Sequence, residues 1–403
     1  MALIKEHWIK ILFVGLLAVV LYMSIGTLAD YFNGGPSGIF GDAGDWGHYF
    51  SKETNWFEDG LVPYRDTNQG YPQLATLFLS WPRFFSNNFN IYKSSLLASS
   101  IILFVILILT SYSILEKLKK NVNYILLLFL PSVVFFTFFR FDILPALLVQ
   151  LSFYLIFKKK YGWSMFVLAL ATMTKWYPAL IFFPFTLYFW NLYRNRQLNK
   201  NNFIVLIISF FAPIFAIFFL TFIIGGSRAV LEPYLMHAQR LFENGSLPAV
   251  LVNIFSLPTH NKIIYLVFVF LQLSGLLLLF LKRPKIRNNK TLILWSVFII
   301  MIFIIFSRVY SNQYILWFFP LLILAVDSVR EIILLIVYDL LNYLQFPLLW
   351  GLYKIKPFVA NLDFTQWGFA SVVILRSLIL LIFIFFIWKK IKKQEVETSN
   401  QIL

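Results

Sequence analysis

The feature that most constrains this chain is a succession of apolar runs, five of them closed by a cluster of lysines and arginines. The runs are Ile9–Ala29, Ser94–Leu115, Tyr124–Phe139, Ile143–Phe157, a run ending at Lys175, Pro178–Trp190, Phe203–Ile224, Ile263–Leu281, Thr291–Phe306, Tyr314–Val326, Ile332–Tyr353 and Trp367–Trp388. A membrane helix needs about 20 apolar residues. Twelve such spans would use nearly all of the 60% of the 403 residues that are hydrophobic. No large soluble domain fits beside them. The expected fold is therefore all-α: a polytopic transmembrane helix bundle of about 12 spans over residues 1–388, with a short basic tail at 389–403.

Charge sets the orientation. With the N-terminus inside and alternating spans, the clusters at Lys117–Lys120, Lys158–Lys160, Arg194–Lys200, Lys282–Lys290 and Lys389–Lys393 all face the cytoplasm. Both termini are then cytoplasmic, and a long first loop, Asp30–Lys93, lies outside. The net charge of +16 reads as this topology signal, with membrane lipids as partners and no nucleic acid. The chain has no cysteine, which removes thiol nucleophiles, Cys-zinc sites and Fe–S clusters. No P-loop and no Gly-rich dinucleotide fingerprint occurs.

Most acids fall on the side without the basic loops, as do His48, His237 and His260. Four segments stand out there. The first is Asp42-Ala-Gly-Asp45-Trp-Gly-His48-Tyr49, followed by Pro63-Tyr64-Arg65-Asp66 and Tyr71-Pro72. The second is Arg140-Phe-Asp142-Ile-Leu-Pro145, with Thr174-Lys175-Trp176-Tyr177-Pro178 at the next turn. The third is His237-Ala-Gln-Arg240, and the fourth runs Ser311-Asn-Gln313-Tyr314-Ile-Leu-Trp317 to Pro320.

In their order and shared side, these segments resemble a GT-C-type integral membrane glycosyltransferase, most closely glycosyltransferase family 87, the polyprenyl-phosphate-mannose-dependent mannosyltransferases. The similarity runs from about Asp45 to Pro347. Two segments depart from the family pattern: Asn312 stands where Pro is common, and Glu243 and Gly245 replace the usual residues after Arg240. The resemblance implies a polyprenyl-phosphate-sugar donor, a lipid or glycan acceptor, an active site at the outer face of the cytoplasmic membrane and no cofactor. It implies Asp45 as general base, with Asp42 as runner-up. His237, Arg240, Lys175, Arg140 and Arg308 become candidates for binding the donor phosphate. Asp66, Tyr64, Asp142, Gln313 and Tyr314 become candidates for orienting sugar or acceptor.

The chemistry is consistent with those residue types. An alcohol is a weak nucleophile and needs a carboxylate to take its proton. One carboxylate suffices for an inverting single displacement. Fixed cations stabilise the departing phosphate most where water is excluded, and arginine can clamp two oxygens. Other expectations are structural. His237 and Arg240, three apart, would share a helix face; Arg140 and Asp142 are candidates to pair with each other. Asp339 and Arg376, both within spans, are expected to form an ion pair. Asp42, Asp45 and His48 have a spacing that could gather an oxygen-liking cation, but the resemblance requires none, so no metal is expected. The alternative class is a lipid-linked-glycan flippase or small-solute transporter without covalent chemistry. The gathering of ionisable residues at one face, instead of along a midplane path, favours the enzyme.

Overall fold

The computed structural model describes residue 15 and residues 44–56, 60–67, 69–258, 261–350 and 364–400. Asp42 and His260 lie outside the described residues. The helices are α1 (Gly44–His48), α2 (Gln73–Ser80), α3 (Phe89–Lys117), α4 (Pro131–Phe139), α5 (Ile143–Phe157), α6 (Tyr161–Thr174) and α7 (Ala179–Arg194). They continue with α8 (Lys200–Gln239), α9 (Leu247–Ile254), α10 (Lys262–Lys282), α11 (Asn289–Ile305), α12 (Ile315–Ala325), α13 (Val329–Tyr343) and α14 (Phe364–Asn400). Among the described residues there is no strand, only an isolated bridge between Pro63 and Thr67.

Helix starts follow from local chemistry. The side chains of Asn88, Asn199 and Asn288 cap α3, α8 and α11 by accepting the first free backbone amides. Ser328 and Glu331 form a reciprocal capping box at α13. Pro131 opens α4 at a position where a missing N–H costs nothing.

Among the described residues five helices are long and apolar enough to cross a membrane: α3, α8, α10, the stretch Val329–Leu349 that begins with α13, and α14. A sixth span results if the 3-10 segment Val122–Phe129 and α4, bent by 65°, count as one. The remaining apolar helices, α5, α6, α11 and the stretch Asn312–Ala325 containing α12, are shorter, at 14–17 residues. These lengths correspond to about 21–26 Å. The apolar runs among the described residues are thus two kinds of element.

Burial separates the two kinds. Every residue of α12 is buried, and so is nearly all of α11. In α8 and α10 only 11% of the apolar window is buried, and Phe215, Phe219, Ile223, Ile263 and Phe270 stand out with more than 60% of their surface exposed. An apolar band of this size is not tolerated facing water. The molecule is an all-helical bundle of membrane-protein type, with α11 and α12 at its centre and α8 and α10 turned to lipid.

One expected boundary moves. The run Phe203–Ile224 does not open into a loop at Gly225; α8 continues to Gln239 through a kink at Gly226, whose backbone is at φ 75° and ψ −171°. Only glycine adopts that conformation readily. The helix can therefore change direction there and go on.

The two ends of the bundle differ in charge. At one end Lys120 meets Asp327 at 2.8 Å, while Lys390 bridges Asp327 at 3.0 Å and Glu331 at 2.7 Å. These contacts tie two sequence-distant basic segments to the acids at the start of α13. Helices α5 and α12 run from that end to the other, where the candidate site lies.

Candidate active site

The site is built on helix ends. Helix α4 stops at Arg140, whose backbone is extended (φ −139°, ψ 156°), and Asp142 begins α5 as its N-cap. The turn between them sends the two side chains to different partners. Arg140 Nε reaches Asp45 Oδ2 at 2.7 Å. Arg140 is 6% exposed, whereas the Asp45 side chain is 38% exposed. Tyr49 donates its hydroxyl to the same Asp45 oxygen at 3.4 Å. The guanidinium also lies 5.5 Å over the ring of Phe346.

Asp142 is fully buried. Its Oδ1 accepts the indole N–H of Trp317 at 2.7 Å and lies 3.2 Å from Lys175 Nζ. The expected Arg140–Asp142 pairing is therefore replaced by two separate pairs, Asp45–Arg140 and Asp142–Lys175. The Lys175 ammonium is further enclosed by the rings of Phe141 at 4.3 Å, Tyr71 at 5.0 Å and Trp317 at 5.8 Å. Burial pulls Lys175 below the usual lysine range, and the Asp142 carboxylate opposes that pull.

A cavity of about 190 Å³ opens beside this cluster. Its walls come from segments far apart in sequence: Tyr71 and Pro72, Lys175–Tyr177, His237, Tyr265, Arg308, and Tyr314 with Trp317. Tyr177, Trp317 and Tyr314 form a continuous stack, with ring centroids 4.5 Å and 3.6 Å apart. His237 Nε2 is 2.9 Å from the carbonyl of Gly70, and its ring packs edge-on against Trp176 at 4.7 Å. Arg308 donates to the carbonyls of His237 and Ala238, both at 3.0 Å, and so places a cation at the C-terminal end of α8, where the helix dipole favours it. Its guanidinium lies 4.2 Å over Tyr265.

The sequence-derived residues divide accordingly. Lys175, His237, Arg308 and Tyr314 line the cavity. Asp142 stands behind it, joined through Lys175 and Trp317. The Asp45–Arg140 pair adjoins it through the packed rings of Tyr49, Tyr71 and Phe141. Arg240 does not share a helix face with His237, because α8 ends at Gln239 and Arg240 is extended. It pairs with Glu243 and lines an adjoining cavity with Lys262, Tyr265 and Arg308. Burial raises the Glu243 carboxyl, against the pull of Arg240.

Asp66 turns to its neighbour Arg65, and that guanidinium together with the Val62 amide holds its carboxyl down to about 2. Tyr64 is buried, with its hydroxyl on the carbonyl of Tyr71 at 2.8 Å and on Thr76 at 2.7 Å; it braces the Tyr71 segment. Gln313 is buried but does not line the cavity.

Asp339 and Arg376 also depart from expectation. Both oxygens of Asp339 accept backbone amides at the start of α4, from Ser132 and Val133, each at 3.1 Å. Arg376 instead donates to Asn342 Oδ1 at 3.2 Å and the carbonyl of Gly245 at 2.7 Å. A carboxylate lying across free helix amides is already satisfied, so the arginine is not needed for that purpose.

No group of three or more His, Asp or Glu side chains that could hold a metal ion occurs among the described residues. His48 lies 3.3 Å from Glu53, the carboxylate that raises its pKa. The residues that sequence reasoning left without a role are Trp176, Tyr177 and Trp317. Their signal was present as aromatic residues directly after Lys175 and one helical turn from Gln313. Compared with known proteins, the sequence matches no family model and no curated protein.

Proposed function

We propose that the chain transfers a hexosyl residue, mannosyl in the first instance, from a polyprenyl-phosphate donor to a lipid-linked or glycan acceptor at the outer face of the cytoplasmic membrane. The observation that carries this reading is convergence. Segments around residues 45, 140, 175, 237, 308 and 314 meet at one end of the bundle, around one cavity walled by cations and aromatic rings.

In this reading Asp45 is the base. Its carboxylate is the accessible one, and Asp142 is committed to Lys175 and Trp317. The acceptor hydroxyl gives its proton to Asp45 as its oxygen bonds to the anomeric carbon. The bond from that carbon to the phosphate oxygen breaks, and polyprenyl phosphate leaves from the opposite side. A single displacement of this kind inverts the anomeric configuration. The growing charge on the phosphate is met by Arg308, held in place before the reaction, while Lys175 is balanced by Asp142. Arg140 fixes the orientation of Asp45.

The test is mass spectrometry of lipids formed when purified protein meets polyprenyl-phosphate-mannose and a host lipid extract. The expected product is one hexose heavier than its acceptor. Loss of a general base costs about 10²–10⁴-fold in rate, so Asp45→Asn should yield almost none. Full activity in that variant would remove Asp45 from the mechanism, and no product from the wild type would remove the transferase.

A further inference from the structure

Two hydrogen-bonding groups in the cavity wall have no partner among the described residues. The hydroxyl of Tyr177 and the indole N–H of Trp176 are both buried and unbonded. Tyr177 is 2% exposed, and both residues line the cavity. A buried donor left unsatisfied is costly, and native folds rarely retain one without a reason. Packing does not supply the reason, because these side chains are held firmly. Tyr177 is stacked on Trp317 at 4.5 Å with the planes 8° apart. Trp176 is stacked on Tyr234 at 4.6 Å with the planes 3° apart. Neither group can swing away to find another acceptor without breaking its stack. The two donors are therefore pre-positioned.

The rest of the wall says what an occupant beside them would be. Lys175 is neutralised by Asp142, so that side of the cavity is electrically balanced. Arg308 keeps its charge uncompensated, because among the described residues it meets two carbonyls and a ring. An anionic group belongs at the Arg308 end, and a neutral, oxygen-rich group belongs against Tyr177 and Trp176. Aromatic faces beside fixed donors suit a pyranose ring, which offers C–H faces and hydroxyl oxygens. A single ordered water is too small an occupant, since one water fills only about 10–15 Å³ of such volume against the 190 Å³ present.

We infer that Tyr177 and Trp176 form the subsite for the transferred hexose, donating hydrogen bonds to its ring hydroxyls while the phosphate lies toward Arg308. This rests on the transferase reading above and deepens it. Asp66 and Tyr64, facing Arg65 and Thr76, leave this role open. Burial keeps the Tyr177 phenol protonated far above neutral pH, so it remains able to donate. Specificity follows. A site built to hydrogen-bond a hydroxyl discriminates against a ligand that lacks it.

The test measures affinity, without turnover, in the full-length protein reconstituted in nanodiscs. The ligands are a short-chain polyprenyl-phosphate-mannose and the same polyprenyl phosphate without sugar. The variants are Tyr177→Phe, which removes the donor and keeps the ring, and Trp176→Phe, which removes the donor and keeps a smaller aromatic face. Each should weaken the mannosyl ligand by roughly 2- to 12-fold, the value of one net hydrogen bond, and leave the bare phosphate within about twofold. Without ligand, Tyr177→Phe should melt no lower than wild type, because the hydroxyl it removes had no protein partner. Equal weakening of both ligands, unchanged affinity for both, or a lower melting temperature with unaltered sugar discrimination would each overturn the subsite. Failure of the wild type to bind the mannosyl ligand at all would instead overturn the transferase reading on which the subsite depends.

Discussion

At the residue scale, the two carboxylates paired with Arg140 and Lys175 have been given different work by their surroundings. Asp45 is partly open to solvent and held by one arginine, while Asp142 is closed in and neutralises a buried lysine. Asp142→Asn keeps an acceptor for Trp317 but removes the charge that Lys175 needs. Breaking one side of a buried pair costs about 3–5 kcal/mol, to be read from unfolding of the purified variant. The cost should depend on pH. Burial already holds Lys175 below the ordinary lysine value of 10.5. Between the folded and unfolded values the unfolded chain binds more protons, so stability rises with pH across that window. Loss of Asp142 lowers Lys175 further and extends the window downward. The deficit is therefore largest near neutrality and shrinks as pH approaches 10.5; a deficit that grows with pH would contradict the pairing. The identities of these four charged residues were legible in the sequence. Their pairing was not. Arg140 and Asp142 are two apart, and only the change from extended to helical backbone between them decides which partner each meets.

At the element scale, the broken span before the site is held open by a side chain from another helix. The 65° bend at Pro131 leaves the first amides of α4 inside the bundle, and Asp339 of α13 accepts two of them. Asn342, one turn further on, donates to the Ser132 hydroxyl at 2.6 Å and to the carbonyl of Asn312 at 3.0 Å. The start of α4 and the turn leading into α12 are thereby tied to one helix, and the far end of α4 carries Arg140. Asp339→Ala should cost at least about 2 kcal/mol, since two buried amides lose their acceptor. Asp339→Asn, which keeps one, should cost less. Transfer activity should follow the same order, because the displaced helix is the one that fixes Arg140; equal stability of the two variants would contradict the capping role. An isolated ion pair with Arg376 was the sequence expectation, since a buried acid suggests a buried base. Helix amides are an alternative cationic partner that periodicity does not reveal. The same limit explains α8. Gly225-Gly226 reads as the end of a span, but a helix can turn at Gly226 and continue far enough to bring His237 against Gly70.

At the scale of the whole molecule, the helical class and the segregation of basic loops from the candidate site were readable from composition and charge. The division into long lipid-facing helices and short buried ones was not, because both kinds are uniformly apolar. The proposed orientation has a direct test, and the absence of native cysteine makes it clean. His48 lies near the site end and is exposed; Lys159 lies at the opposite end of α5 and is exposed. A membrane-impermeant maleimide applied to intact cells should label His48→Cys, and should label Lys159→Cys only after permeabilisation. The opposite pattern would invert the proposed topology. The short central helices have a further consequence. At about 21–26 Å they fall short of a hydrocarbon layer of about 30 Å, while α3, at 29 residues, exceeds it. In the proposed orientation the cavity, set on the ends of these short helices, would be a recess below the membrane surface. A water-borne sugar would have to descend into that recess. A sugar carried on a lipid arrives already at the right depth, and its anchor limits the search for the site to two dimensions.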